Sequence, residues 1–280
     1  MRLKCLGFLL LFGTSPAYSA VPTDPAQNVQ IIYLQQVDAA IREGRLTQAA
    51  QMISTLEQSD AGEFRDDLAL LKAEYAIARM DVTSAAQALS VISDSARNTC
   101  RVHAAKGWVA ANQKEFQPAV AALLVATDGC PDDAGVWNLL GLAHIGTGQA
   151  LSAQKAFERA LVLAPGNAQV MNNHALAALQ GGALDLALSE LDRAVTQSPQ
   201  DRMILANRNF VAGMAGLLPE RAKDESEADW SAKLLEYAKG AKSASRGPQA
   251  TALFARAMLT LDRFDENVWS ELDPAVERPR

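Results

Sequence analysis

The sequence predicts an all-α fold in which helical hairpins stack one after another into a solenoid. Three observations carry this prediction. Pro131, Pro165 and Pro199 recur at one strictly constant interval, small residues recur at fixed offsets from them, and 49% of the chain is apolar with alanine dominant. A hairpin of this length cannot bury its apolar face alone, so each unit requires neighbours.

The most regular unit is residues 134–167. Trp137, Gly141, Phe157 and Pro165 stand at positions 4, 8, 24 and 32 of this unit, and alanines stand at positions 20 and 27. This pattern resembles the tetratricopeptide repeat (TPR). The resemblance implies a right-handed superhelix in which small residues at positions 8 and 20 let two antiparallel helices touch and larger residues fill the seam.

The same register extends over about five units. Their predicted ranges are 30–65, 66–99, 100–133, 134–167 and 168–201. We expect a signal peptide at 1–20 and a short linker at 21–29 before them, and a C-terminal helical cap at 202–280 after them. Solenoids need such atypical ends because an end repeat lacks a neighbour. The tail contains Trp230 and Trp269, so it could equally hold a partner site.

The first 20 residues have the composition of a secretory signal peptide. Arg2 and Lys4 precede the apolar run Leu6 to Phe12, and small residues follow near Ala17 and Ala20. The alternative is an uncleaved N-terminal anchor, although the run is short for a membrane span, which needs roughly 20 residues. The sequence therefore predicts an exported, periplasmic protein.

The charge balance is mildly acidic. Lys and Arg number 26 against 32 Asp and Glu, a net charge of −6. Nucleic acid is not an expected partner, because binding to phosphates requires a basic surface.

Two cysteines, Cys100 and Cys130, remain after removal of the predicted signal peptide. They occupy positions 1 and 31 of one unit, and these positions meet at the same end of a helical hairpin. Export favours oxidation, so we predict a Cys100–Cys130 disulfide. The alternative is two buried thiols. A zinc site is not expected, since no Cys-x-x-Cys pair is present.

The sequence contains no catalytic motif that we recognise. His103, His144 and His174 fall at positions 4, 11 and 7, where the repeat places packing residues. Neither a nucleophile elbow nor a His-Glu-x-x-His motif occurs. We expect a non-enzyme that uses no cofactor and no metal.

A TPR stack offers a concave groove lined by its first helices, and we predict that a protein or peptide partner binds there. Amide side chains can bind the backbone of an extended peptide, and apolar side chains can receive its residues. The predicted groove residues are Arg101, Trp108, Asn112, Asn138, Leu142, Asn172, Asn173, Leu176, Asn207 and Phe210.

The asparagines have two interpretations. Asn173 and Asn207 stand at position 6, where asparagine also recurs for reasons internal to the repeat, whereas Asn138 and Asn172 at position 5 favour binding. Ala104 and Asn138 occupy position 5, where a TPR domain that grips a C-terminal carboxylate carries lysine. A carboxylate clamp is therefore disfavoured.

The whole chain, with its leader, short repeat stack and the segments ANRNFVAGM and ALFARAML, resembles the exported TPR proteins encoded with tight-adherence (Tad, or Flp-type) pilus machinery. The resemblance implies a periplasmic accessory factor for pilus assembly that contacts the outer-membrane secretin. The chain has no lipobox cysteine, which argues against a pilotin role. The alternative is a scaffold for an envelope polysaccharide or cell-wall synthesis complex.

Overall fold

The computed structural model describes residues 25–58, 64–93, 99–217 and 225–243. These residues form α-helices joined by short turns and contain no strand, so the predicted all-α class is confirmed. The predicted signal peptide and the predicted helices beyond residue 243 lie outside the described residues.

The described helices alternate between first and second members of hairpins. They are α1 (Pro25–Arg42), α2 (Leu46–Gln58), α3 (Arg65–Ala78), α4 (Val82–Ser90), α5 (Cys100–Asn112), α6 (Phe116–Gly129), α7 (Ala134–Gly146), α8 (Ala150–Leu163), α9 (Ala168–Gln180), α10 (Leu184–Gln197), α11 (Arg202–Met214) and α12 (Glu227–Ser243). The chain divides into two compact units between Pro165 and Gly166. We call them the N-terminal unit and the C-terminal unit.

Polar caps precede the first helix of each repeat from α5 onward. Thr99, Asp133, Asn167 and Asp201 precede α5, α7, α9 and α11, and each side chain accepts a hydrogen bond from backbone N–H groups of the first turn. Asp133 Oδ1, for example, lies 2.8 Å from the amide nitrogen of Gly135. These caps satisfy amides that have no partner within the helix.

The turn between the two helices of each hairpin passes through the left-handed region of backbone space. The residue concerned stands at position 15 of every unit, and its φ lies between 59° and 80°. Four of these residues are glycines, which adopt this conformation without strain. The other two are Met80 and Lys114, with φ of 59° and 66°. The sequence pattern did not predict a positive φ at Met80 and Lys114, because residues other than glycine rarely adopt this conformation.

The seam of a hairpin depends on the missing side chain at position 8. A Cβ atom on Gly141 would lie 2.5–2.7 Å from ring atoms of Phe157, which is fully buried. The glycine thus makes room for the aromatic ring at position 24. The structure thus packs position 8 against the large residue at position 24, which the repeat pattern placed in the seam.

The core of the N-terminal unit is centred on α5. Trp108 has no exposed surface and belongs to one apolar cluster with Leu89, Leu123 and Leu139. A smaller cluster joins α1, α2 and α3 around Leu34 and Leu71. The core of this unit therefore runs through the interfaces between neighbouring helices.

The C-terminal unit has its own apolar cluster, formed by α9, α10 and α11 around Leu191 and Phe210. Helix α12 packs closely on α11, since a Cβ atom on Gly213 would strike the carbonyl oxygen of Tyr237. Tyr237 also packs on Ala212 and Leu188. Helix α12 thus covers α11, the last helix in the repeat register.

Candidate functional site

The first helices of the N-terminal unit contact one another in series. Helix α1 contacts α3, α3 contacts α5, and α5 contacts α7. We call the surface that these four helices share the first-helix face. The predicted groove residues of the N-terminal unit belong to helices of this face.

Arg101 is the central polar residue of the first-helix face. Its Nε donates to Oε1 of Glu74 at 2.9 Å, and its terminal nitrogen donates to Oε2 of Glu74 and Oδ1 of Asp38, both at 2.5 Å. Arg42 donates to the other Asp38 oxygen at 2.8 Å. One guanidinium therefore joins α1, α3 and α5. These contacts use Nε and one terminal nitrogen of Arg101, and binding of a partner by this residue stays a prediction.

Burial sets the protonation behaviour of this cluster. It raises the pKa of the Glu74 carboxyl, although the Arg101 guanidinium lowers it. Burial also raises the pKa of Asp67, with a smaller opposing effect from Arg101. Burial lowers the pKa of Arg101, but the Glu74 and Asp38 carboxylates more than compensate, so the pKa lies above its usual range. Arg101 is therefore always charged, which keeps the carboxylates paired.

Two further predicted groove residues on α5 have structural contacts. Trp108 has no exposed surface, and the Asn112 amide donates to the carbonyl oxygen of Trp108 at 2.8 Å. The burial of Trp108 corrects the prediction that it receives partner side chains, because its indole is surrounded by the core of its own unit.

Asn138 and Leu142 lie on α7, one turn apart. Leu142 is 7% exposed, whereas Asn138 is partly exposed. Asn138 thus has a partly exposed amide side chain, a group that can contact a peptide backbone.

In the C-terminal unit the predicted groove asparagines bind one another. The Asn207 amide donates to Oδ1 of Asn172 at 2.8 Å, and the Asn172 amide donates to Oδ1 of Asn173 at 3.3 Å. All three are buried, with exposures of 5%, 0% and 1% for Asn207, Asn172 and Asn173. This corrects the prediction for Asn172, which favoured binding, because its amide joins α9 to α11 inside the unit.

The apolar groove residues of this unit are buried as well. Leu176 is 5% exposed and Phe210 is 6% exposed. Phe210 belongs to the cluster around Leu191. Both residues shape the interior of the unit and do not present an open apolar surface.

The histidines occupy separate positions on different helices. His144 Nδ1 lies 2.8 Å from Oε1 of Gln149, and His174 Nδ1 lies 3.8 Å from Oε1 of Glu190. Burial, followed by the charge of Lys106, lowers the pKa of His103. In the described part of the chain, no three histidine, cysteine or acidic side chains converge as metal ligands.

Cys100 begins α5 and Cys130 follows the last residue of α6, so both lie at the open end of the α5–α6 hairpin. Their Cα atoms are 5.9 Å apart and their sulfur atoms are in contact. This separation falls in the range that a disulfide spans.

A cavity between α4 and α5 was not foreseen from the sequence. It has a volume of about 360 Å³ and is lined by Ala86, Leu89, Ser90, Lys106, Val109, Ala110 and Gln113. Lys106 carries the only formal charge among these lining residues. The sequence pattern did not predict this cavity, because its lining residues come from two hairpins and enclose a space only when the hairpins pack together.

Residues 138–202 match the family model described as tetratricopeptide repeat. No curated protein matches the chain by sequence.

Two solved structures have the same fold. One is PilF from Pseudomonas aeruginosa, at 18% identity and a TM-score of 0.57, with 84% of this chain and all of that chain covered. The other is the thermophilic TPR protein TTC0263 from Thermus thermophilus, at 16% identity and a TM-score of 0.53, with 65% of this chain and 98% of that chain covered. These similarities and the helical architecture establish the predicted TPR-type solenoid fold.

Proposed function

We propose that this TPR-type chain is a non-catalytic periplasmic scaffold that binds a protein partner through the concave face of its first helices and assists Tad/Flp-type pilus assembly. The single observation that carries the binding role is the serial contact of α1, α3, α5 and α7, which gives one continuous face with the partly exposed Asn138 on it. TPR folds generally bind protein partners, so the fold supports the same role.

The proposed location rests on the leader and the cysteine pair. Residues 2–20 have signal-peptide composition. The 5.9 Å Cα separation of Cys100 and Cys130 permits a disulfide, and disulfides persist in oxidising compartments such as the periplasm. None of the described helices is long and apolar enough to cross a membrane. Cell fractionation tests the location directly: accumulation of the chain in the cytoplasm, with residues 1–20 retained, would contradict it.

Site-specific photocrosslinking in cells tests the binding face. A photoreactive residue at position 138 on α7 is expected to capture a partner, whereas the same residue at position 162 of α8 is the control. Val162 is 70% exposed and lies on a second helix, so capture there reports contact with the other side of the hairpin. Equal capture at both positions would contradict binding through the first-helix face.

The identity of the captured protein decides the pathway. A secretin or pilin supports the pilus role, whereas a polysaccharide or peptidoglycan synthase replaces it with the envelope-synthesis alternative. With the identified protein in purified form, Asn138→Ala is expected to weaken its binding to the chain. Asn172→Ala is the matched control, because the side chain of Asn172 is fully buried, and it should change binding only as far as it changes stability.

A further inference from the structure

In three of the described units the residue at repeat position 7, which lies on the first helix, is a lysine or arginine, and two of these side chains form an ion pair with a carboxylate. Lys72 Nζ lies 2.5 Å from Oε1 of Glu57, and Arg208 Nε lies 2.9 Å from Oδ1 of Asp192. In both pairs the carboxylate comes from the preceding second helix. This arrangement neutralises the cation within the chain.

Lys106 is the third cation at position 7, and it has no carboxylate partner among the described residues. Asp192 stands at position 25 of its unit, and the residue at position 25 before Lys106 is Ser90. The Ser90 hydroxyl donates to the carbonyl oxygen of Gln87 at 2.7 Å. Lys106 therefore lines the α4/α5 cavity without a carboxylate partner from the part of the chain that the structure describes, unlike Lys72 and Arg208.

The equivalent surface in the C-terminal unit is occupied by a tyrosine of the chain itself. Leu191, Val211 and Ala212 there correspond to Leu89, Val109 and Ala110 beside Lys106, at positions 24, 10 and 11. In that unit the surface is covered by an aromatic side chain, because Tyr237 packs on Ala212 and Leu188. The Arg208 guanidinium donates to the Tyr237 hydroxyl at 2.5 Å.

At position 21 the C-terminal unit has Leu188, whereas the N-terminal unit has Ala86. The smaller side chain leaves the cavity of about 360 Å³. A tyrosine combines an apolar ring with a polar tip, which matches a lining that contains Leu89, Val109 and two alanines together with Lys106.

We propose that the α4/α5 cavity binds a tyrosine side chain from a helical segment of a partner protein, with Lys106 donating to the tyrosine hydroxyl. This is a second interaction surface that uses the junction between two hairpins, and it does not depend on the first-helix face. The proposed hydrogen bond has the same form as the one within the chain, in which the Arg208 side chain donates to the Tyr237 hydroxyl.

The test uses the full chain and a fluorescent synthetic peptide with the sequence of residues 227–243, which carries the tyrosine in its natural helix. Binding is measured by fluorescence anisotropy. Replacing the tyrosine of the peptide by alanine should weaken binding at least about tenfold, as loss of a buried aromatic anchor does. Replacing it by phenylalanine should weaken binding about two- to fivefold, because only the hydrogen bond is lost.

Lys106→Met should make the tyrosine and phenylalanine peptides bind equally, which a purely structural role of Lys106 would not do. Ala86→Trp fills the cavity and should abolish binding of both, with the helical circular dichroism of each variant as the folding control. A persistent difference between the peptides in Lys106→Met, or undiminished binding of the alanine peptide, would overturn the proposal. So would chain dimers that Lys106→Met dissociates, because the occupant would then be a second copy.

Discussion

The guanidinium of Arg101 on α5 and the carboxylate of Glu74 on α3 form a two-point contact, with Nε–Oε1 at 2.9 Å and the second nitrogen–oxygen distance at 2.5 Å. Only 4% of the Glu74 side chain and 16% of the Arg101 side chain are exposed. The same guanidinium binds Asp38 of α1. Three successive first helices are thus held by one side chain.

Replacement of Arg101 by Met should destabilise the protein by about 3–5 kcal/mol, because the Glu74 and Asp38 carboxylates would remain buried without this partner. Urea denaturation followed by circular dichroism measures this change. The matched control is Arg159→Met, because Arg159 and its partner Asp132 have side chains that are 41% and 75% exposed, and loss of this exposed pair should cost under about 1 kcal/mol. Equal losses in the two variants would show that burial of the cluster is unimportant.

Stability should depend on pH through Glu74. Burial raises its pKa above the ordinary value of 4.5, and Arg101 only partly offsets this effect. Between the unfolded and folded pKa values the folded state binds more protons, so the contribution of Glu74 to the free energy of unfolding falls as pH rises through this window. Urea midpoints of wild type and Glu74→Gln between pH 4 and 7 should show the extra downward slope in wild type only. Parallel profiles would contradict the assignment.

Lys114→Gly should stabilise the protein by about 1 kcal/mol, because an L-residue in the left-handed region is strained and glycine is not. The φ of Lys114 is 66°. The reciprocal control is Gly148→Ala at the same position of the next unit, where φ is 76° and an added Cβ would meet nothing within 4 Å. Its expected loss of about 1 kcal/mol would therefore come from the backbone alone. Thermal melting should show a higher melting temperature for Lys114→Gly and a lower one for Gly148→Ala than for wild type.

Gly141→Ala should destabilise the protein by about 1–3 kcal/mol through overpacking, because the new methyl group would lie 2.5 Å from Cε1 of Phe157. Phe157→Leu should recover part of this loss when combined with Gly141→Ala, although it destabilises the wild-type protein. A double-mutant cycle of unfolding free energies measures the coupling. Strict additivity would mean that the two positions do not share the seam.

Reduction of the proposed Cys100–Cys130 disulfide should lower stability by about 3–4 kcal/mol, the loop-entropy value for about 30 enclosed residues. Melting curves with and without a dithiol reductant measure the effect. The Cys100→Ala/Cys130→Ala variant should melt like the reduced protein and should be insensitive to the reductant. Two titratable thiols in the native protein, with an unchanged melting temperature, would refute the disulfide.

The repeat register predicted the fold because its determinants are local: the evenly spaced prolines and Gly141 opposite Phe157 each act within one hairpin. The site was predicted less well. Register alone places Arg101 and Asn172 on the groove side, but whether such a side chain faces a partner depends on residues in other repeats. Asp38 and Glu74 occupy Arg101, and Asn207 occupies Asn172. Each of these contacts joins different repeats, so the sequence around Arg101 or Asn172 does not reveal it.

The left-handed turn residue Lys114 lies in the same hairpin that Cys100 and Cys130 close at its opposite end. A covalent link formed there would hold α5 and α6 together whatever residue the turn contains. The hairpin would then tolerate a residue other than glycine at position 114, whereas Met80 has no such support within α3–α4, where no cysteine occurs. In native-state hydrogen exchange, the α3–α4 hairpin should accordingly open at lower free energy than α5–α6.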